Sequence, residues 1–100
     1  MPGFGVYFLR LMQVEKASST VFTLLADGTG VLLNLDTLFY YSLNRSGAAV
    51  WKQIEEKTIV SLEDLVVSTC DQFDVDHAGA SRALTSFVEE LVKLKMVHVA

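Results

Sequence analysis

Residues 20–44 read TVFTLLADGTGVLLNLDTLFYYSLN, and the rhythm of that stretch sets the architecture expected of the whole chain. Thr20–Leu25 is β-branched and apolar, and Asp27-Gly28 behind it is a tight-turn signal. Gly30–Leu35 resumes as a strand, with Val31, Leu33 and Leu35 on one face by the period of two. Asp36-Thr37 forms a second turn, and Leu38–Leu43 is a third strand. Phe39, Tyr41 and Leu43 share one of its faces, Tyr40 and Ser42 the other. Two tight turns between three short runs predict an antiparallel meander.

At Asn44 the period changes to that of a helix. Asn44 is a good N-cap, and Gly47, Val50, Trp51 and Ile54 follow at helical spacing. Ser61-Leu62-Glu63-Asp64 fits a capping box, with Leu62, Leu65, Val66, Thr69 and Phe73 on one face behind it. Asp76 caps a third, longer helix whose stripe is Ala80, Leu84, Phe87, Leu91 and Leu94. Met96–Val99 closes as a short extended tail. The expected fold class is therefore α+β and winged-helix-like: a three-stranded antiparallel meander followed by three helices. Residues 1–18 read as an N-terminal extension and residues 19–100 as the domain.

Composition agrees with one small packed unit. The chain has 100 residues, 51% hydrophobic and 20% charged, with a mean hydropathy of +0.37. Intrinsic disorder needs the opposite balance. No apolar run is long enough to span a membrane, and the N-terminal stretch lacks the basic start of a signal peptide. The single Cys70 suits a reducing compartment, so a cytoplasmic location is expected.

The net charge of −4 comes wholly from residues 61–100, which hold seven acidic residues against three basic ones. Residues 61–76 carry five acids and no Lys or Arg, which argues against phosphate neutralisation and against an anionic membrane surface. Neither nucleic acid nor membrane is an expected partner.

Catalytic chemistry has few carriers. His77, His98 and Cys70 are not at metal-ligand spacing, and Cys70 has no basic neighbour to lower its pKa. Asp71, Asp74 and Asp76 lack the glycine and distal glutamate of a calcium loop. Gly28 and Gly30 are followed by no Lys-Ser/Thr pair, so they do not make a phosphate loop. The adjacent Glu89 and Glu90 project at different angles and cannot share a proton. No enzyme activity, no metal and no cofactor are expected.

The third strand stands out instead. It has no internal Lys, Glu or Pro, the usual protection of a sheet edge against pairing. Two readings follow. The edge is covered by residues 1–18 or by a second copy of the chain, or it captures an extended peptide by strand addition.

Gly30–Trp51 together with Thr58–Asp76 resembles the PqqD family, the pyrroloquinoline quinone biosynthesis protein D family, whose fold is also called the RiPP recognition element. The likeness is carried by Leu33-Asn34-Leu35-Asp36, Tyr40-Tyr41, Leu43-Asn44, Gly47, Trp51 and the Phe73-Asp74-Val75-Asp76 junction, and it extends over about residues 20–97. The resemblance implies a non-catalytic peptide chaperone. It would capture the leader of a ribosomally made precursor peptide as an added strand and present it to a modifying enzyme, often a radical SAM enzyme. Carried over by position, the pairing strand is Leu38, Phe39, Tyr40, Tyr41 and Ser42. The facing helix offers Arg82, Ser86, Val88, Glu89, Val92 and Lys93, while Leu43, Trp51, Leu65, Leu84, Phe87 and Leu91 are core. Two departures from the family pattern matter: Leu38 stands where the family usually has Gly after the turn, and the second half offers few cations to an acidic leader.

Two other functions compete with this one. A structural or oligomerising domain would pair the edge strand with itself in a homodimer. A winged-helix DNA binder would need a cationic recognition helix, and the third helix is neutral overall.

Overall fold

The computed structural model describes residues 12–100. Of the extension expected over residues 1–18, residues 1–11 lie outside the described residues. The elements in chain order are β1 (Gln13–Lys16), β2 (Thr20–Leu24), β3 (Gly30–Asn34), β4 (Tyr40–Leu43), α1 (Arg45–Lys57), β5 (Ile59–Ser61), α2 (Leu62–Phe73), α3 (His77–Lys93) and β6 (Val97–Val99). The expected α+β architecture holds, with β2, β3 and β4 forming an antiparallel meander ahead of three helices.

Local chemistry explains the joints. Gly28 takes φ 89° in the β2–β3 turn, a conformation open to glycine. Beside it, the Asp27 carboxylate accepts from the Thr29 N–H at 3.0 Å and from the Thr29 hydroxyl at 2.6 Å. All three helices start at the expected caps. The Asn44, Ser61 and Asp76 side chains accept the N–H groups of Gly47, Asp64 and Gly79.

The β3–β4 turn differs from its expected form. β4 begins at Tyr40 rather than Leu38, because Leu38 adopts φ 62° and donates its N–H to the Asn34 carbonyl at 2.7 Å. A glycine would take such a φ freely, and here a leucine bears the strain.

A second sheet, which the periodicity of the sequence did not suggest, has the order β5-β1-β6. β1 lies in its centre, antiparallel to both neighbours, with Val14 opposite Val60 and Val99. The core fills the space between the sheets and helices around Trp51, Ile54, Leu32, Leu65, Leu91 and Met96. Two buried polar residues tie the meander to the end of α3. Thr20 donates to the Met96 carbonyl at 3.1 Å, and the Asn34 amide donates to the Lys95 carbonyl at 2.7 Å. β4 is thereby held at a fixed position beside α3.

Candidate functional site

β4 is an outer strand of the order β2-β3-β4, and among the described residues no strand pairs with its far side. The phase of the ladder says which of its groups are open. The Asn34 N–H donates to the Phe39 carbonyl at 2.9 Å, so that pair is a hydrogen-bonded one. In an antiparallel ladder such pairs alternate. Leu32–Tyr41 and Gly30–Leu43 therefore exchange bonds within the sheet, while Tyr40 and Ser42 turn their N–H and C=O groups outward. The β2–β3 ladder has the complementary phase, since the Leu25 N–H meets the Thr29 carbonyl at 2.8 Å and the Leu35 N–H meets that of Ser19 at 2.9 Å. The odd-numbered residues of β3 are thus bonded to β2 and the even-numbered ones to β4.

Beside this edge runs a groove of about 270 Å³. Tyr41, Ser42 and Leu43 supply one wall, and Ala83, Leu84 and Phe87 of α3 the other. The start of α1 (Ser46, Gly47, Val50) and Thr69 of α2 close its floor and end. None of the lining side chains carries a charge. An apolar trough with a row of open peptide groups along its rim is suited to an extended chain: the rim supplies main-chain hydrogen bonds and the trough takes side chains.

The structure separates the residues expected at the site into two places. Tyr41 and Ser42 line the groove, and Tyr40 shares the open rim with Ser42. Leu38 and Phe39 precede β4 in the turn, both exposed. On α3, Val88 is 4% exposed and belongs to the core. Val88, Glu89, Val92 and Lys93 line another groove, of about 310 Å³, together with Met12, Leu62, Thr85 and Val99. Arg82 and Ser86 are exposed and line neither groove. The cause is helical geometry: successive residues are turned by roughly 100°, so a helix beside a strand offers it only one row. That row is Ala83 and Phe87, one turn apart; Phe87, expected in the core, is half-buried and packs against the core while also lining the groove. The stripe of α3 is wider than the core needs, and its surplus edge is the groove wall.

Outside the groove, His77 Nε2 and Glu63 Oε1 pair at 2.9 Å across the starts of α3 and α2. Among the described residues no group of three or more His, Cys, Asp or Glu could hold a metal ion. No helix among them is long and apolar enough to cross a membrane.

An open-edged sheet with a helix-walled apolar trough defines a class of strand-accepting domains, and comparison with known proteins names the family. The PqqD family model (coenzyme PQQ synthesis protein D) matches residues 29–97, and the chain belongs to that family. Among solved structures, TbiB1 in complex with the TbiA(β) leader peptide is similar with a TM-score of 0.76 and 26% identity, covering 84% of this chain and 94% of that one. Lasso peptide synthetase B1 complexed with the leader peptide has a TM-score of 0.71 and 19% identity, covering 85% and 96%, a likeness of fold. No curated protein matches the chain.

Proposed function

We propose that this chain is a non-catalytic, cytoplasmic peptide-binding module that takes the leader of a ribosomally made precursor peptide as an extra strand on β4 and presents it to a modifying enzyme. The observation that carries this reading is the open rim of Tyr40 and Ser42 alongside the uncharged groove between β4 and α3. Membership of the PqqD family and the likeness to TbiB1, solved with a leader peptide, support it.

The energetics are adequate. Tyr40 and Ser42 offer two N–H and two C=O groups, each worth roughly 0.5–1.5 kcal/mol net when paired. Apolar side chains in the groove add roughly 25 cal/mol per Å² removed from water, less the cost of ordering the peptide. A dissociation constant in the micromolar range, about −8 kcal/mol, lies within reach of that sum.

The test uses the ¹⁵N-labelled chain titrated with synthetic leaders of the precursor peptides encoded beside its gene. Amide shifts should concentrate at Tyr40–Leu43 and at Ala83–Phe87. A Ser42→Pro variant should stay folded, because that N–H points away from the ladder and an edge strand tolerates proline there, yet it should lose binding. Undiminished binding by the folded variant would refute strand addition. Shifts that appear with protein concentration alone, in a sample tumbling as a dimer, would show instead that the edge pairs with itself.

A further inference from the structure

The two faces of the β2-β3-β4 meander are unlike. Phe22, Leu32, Tyr41 and Leu43 lie in the core or pack against it. The opposite face holds Val21 and Thr23 from β2, Val31 and Leu33 from β3, and Tyr40 and Ser42 from β4. A sheet face turned to water is usually polar. Here none of the six residues carries a charge, and four are apolar. Val21 and Tyr40 are 44% and 70% exposed, and Val31 and Leu33 are half-buried. None of these four joins the core or packs against it.

Register arranges this face in two rows. Val21 stands opposite Leu33 and Leu33 opposite Tyr40, while Thr23, Val31 and Ser42 form the row beside them. Both rows stop at the open rim of β4, one in an aromatic ring and the other in a hydroxyl. A strand added at that rim continues both rows whichever way it runs, because its own side chains alternate. Half of them face the groove. The other half emerge on the outward face, and the one beside Tyr40 comes within about 5 Å, Cβ to Cβ. Filling the edge and extending the row are therefore one event, and the occupant of the row is the peptide itself.

The groove alone leaves register open. Its lining carries no charge, and a slip of two residues keeps every peptide side chain on its own face. The outward rows distinguish the two registers, since the same slip carries a side chain from Tyr40 to Ser42. We propose that the row Val21–Leu33–Tyr40 is a second specificity element of the leader site. It takes an aromatic or β-branched side chain of the bound peptide beside Tyr40 and so fixes the peptide's register. The proposal deepens the leader-binding reading above and rests on it.

The test is a displayed library of random peptides of about ten residues, long enough at roughly 3.3 Å per residue to pass the whole of β4. It is selected on the wild-type chain, Tyr40→Thr and Ser42→Pro. Threonine keeps the main chain and strand preference of β4 and removes only an exposed ring. Peptides recovered on the wild type should carry apolar residues in the groove-facing phase and one aromatic or β-branched residue in the opposite phase. Those recovered on Tyr40→Thr should keep the first set and lose the second. A wild-type-selected peptide should bind Tyr40→Thr roughly two- to fivefold more weakly. Replacing its outward residue by Ser should weaken binding to the wild type by a similar factor, and leave binding to Tyr40→Thr unchanged. Equal affinities, or apolar residues in one phase only, overturn the proposal and leave strand addition standing. Dimerisation of the wild type that Tyr40→Thr abolishes would assign the row to a second copy and overturn it as well. Recovery of no peptide, or of the same peptides on Ser42→Pro, brings down both readings.

Discussion

The Tyr41 and Phe87 rings lie 6.3 Å apart, centroid to centroid, with their planes tilted by 55°. This contact joins β4 to α3 and sets the width of the groove between them. Tilted aromatic pairs at this separation are favourable beyond the area they bury. Phe87→Ala should therefore cost about 2 kcal/mol of stability, less than for a fully buried ring because Phe87 is half-buried. Peptide affinity should fall roughly tenfold as the wall is lost. Urea unfolding and fluorescence anisotropy with a labelled leader peptide separate the two effects; unchanged affinity would remove Phe87 from the site.

Leu38 holds φ 62° while its side chain is 70% exposed, so the position bears backbone strain with little packing in return. Leu38→Gly should stabilise the chain by about 1 kcal/mol. For a domain of this size that is a rise of roughly 4–8 °C in Tm, readable by calorimetry. A fall in Tm would mean that the leucine side chain makes a contribution larger than the strain.

Asn34 is 3% exposed and satisfies three separate groups. Its Oδ1 accepts from the Asp36 and Thr37 N–H groups at 2.8 and 3.1 Å, and its Nδ2 donates to the Lys95 carbonyl at 2.7 Å. Asn34→Ala should cost roughly 2–4 kcal/mol, because partners are left unpaired around a buried site. In amide exchange, protection should drop at the β3–β4 turn and at the end of α3 together. Loss confined to the turn would show that the link to Lys95 carries no energy.

The Thr29 hydroxyl, and after it the Thr29 backbone N–H, hold the Asp27 carboxyl below its ordinary value of 3.8. A carboxylate with a lowered folded-state pKa contributes stability above the unfolded value, and that contribution is lost as pH falls through the folded value. The stability difference between wild type and Asp27→Asn should thus be present at neutral pH and vanish well below pH 3.8. A difference that persists in acid would place the effect in turn geometry rather than in charge.

Much of this fold was legible in the sequence for identifiable reasons. The meander announced itself through Asp27-Gly28 and the alternation in β3 and β4, and the helices through Asn44, Ser61 and Asp76, all local signals. The sheet of β5, β1 and β6 was not, apart from the extended tail over β6. β5 is a three-residue strand between two helices and β1 has four, too short for a period to show. Their pairing joins residues about 45 and 85 positions apart, which no local pattern encodes. The site was half legible. Strand β4 was visible as an unprotected edge, but the alternation of its open groups, and so the choice of Ser42 over Tyr41 as the informative proline site, depends on ladder phase. Proline at Tyr41 would break the sheet itself. The wall of α3 depends on how the helix is rotated about its axis, which packing sets and sequence spacing leaves open.

Gln13 and Ala100 exchange both of their main-chain hydrogen bonds, at 3.0 and 3.1 Å. The segment from one to the other therefore enters and leaves through a single doorway, one strand spacing wide. A unit with that property can be spliced into a surface loop of a larger protein without stretching the host or prising the guest apart. Its own architecture thus equips this domain to travel as a cassette, insertable wherever a host chain offers two neighbouring ends.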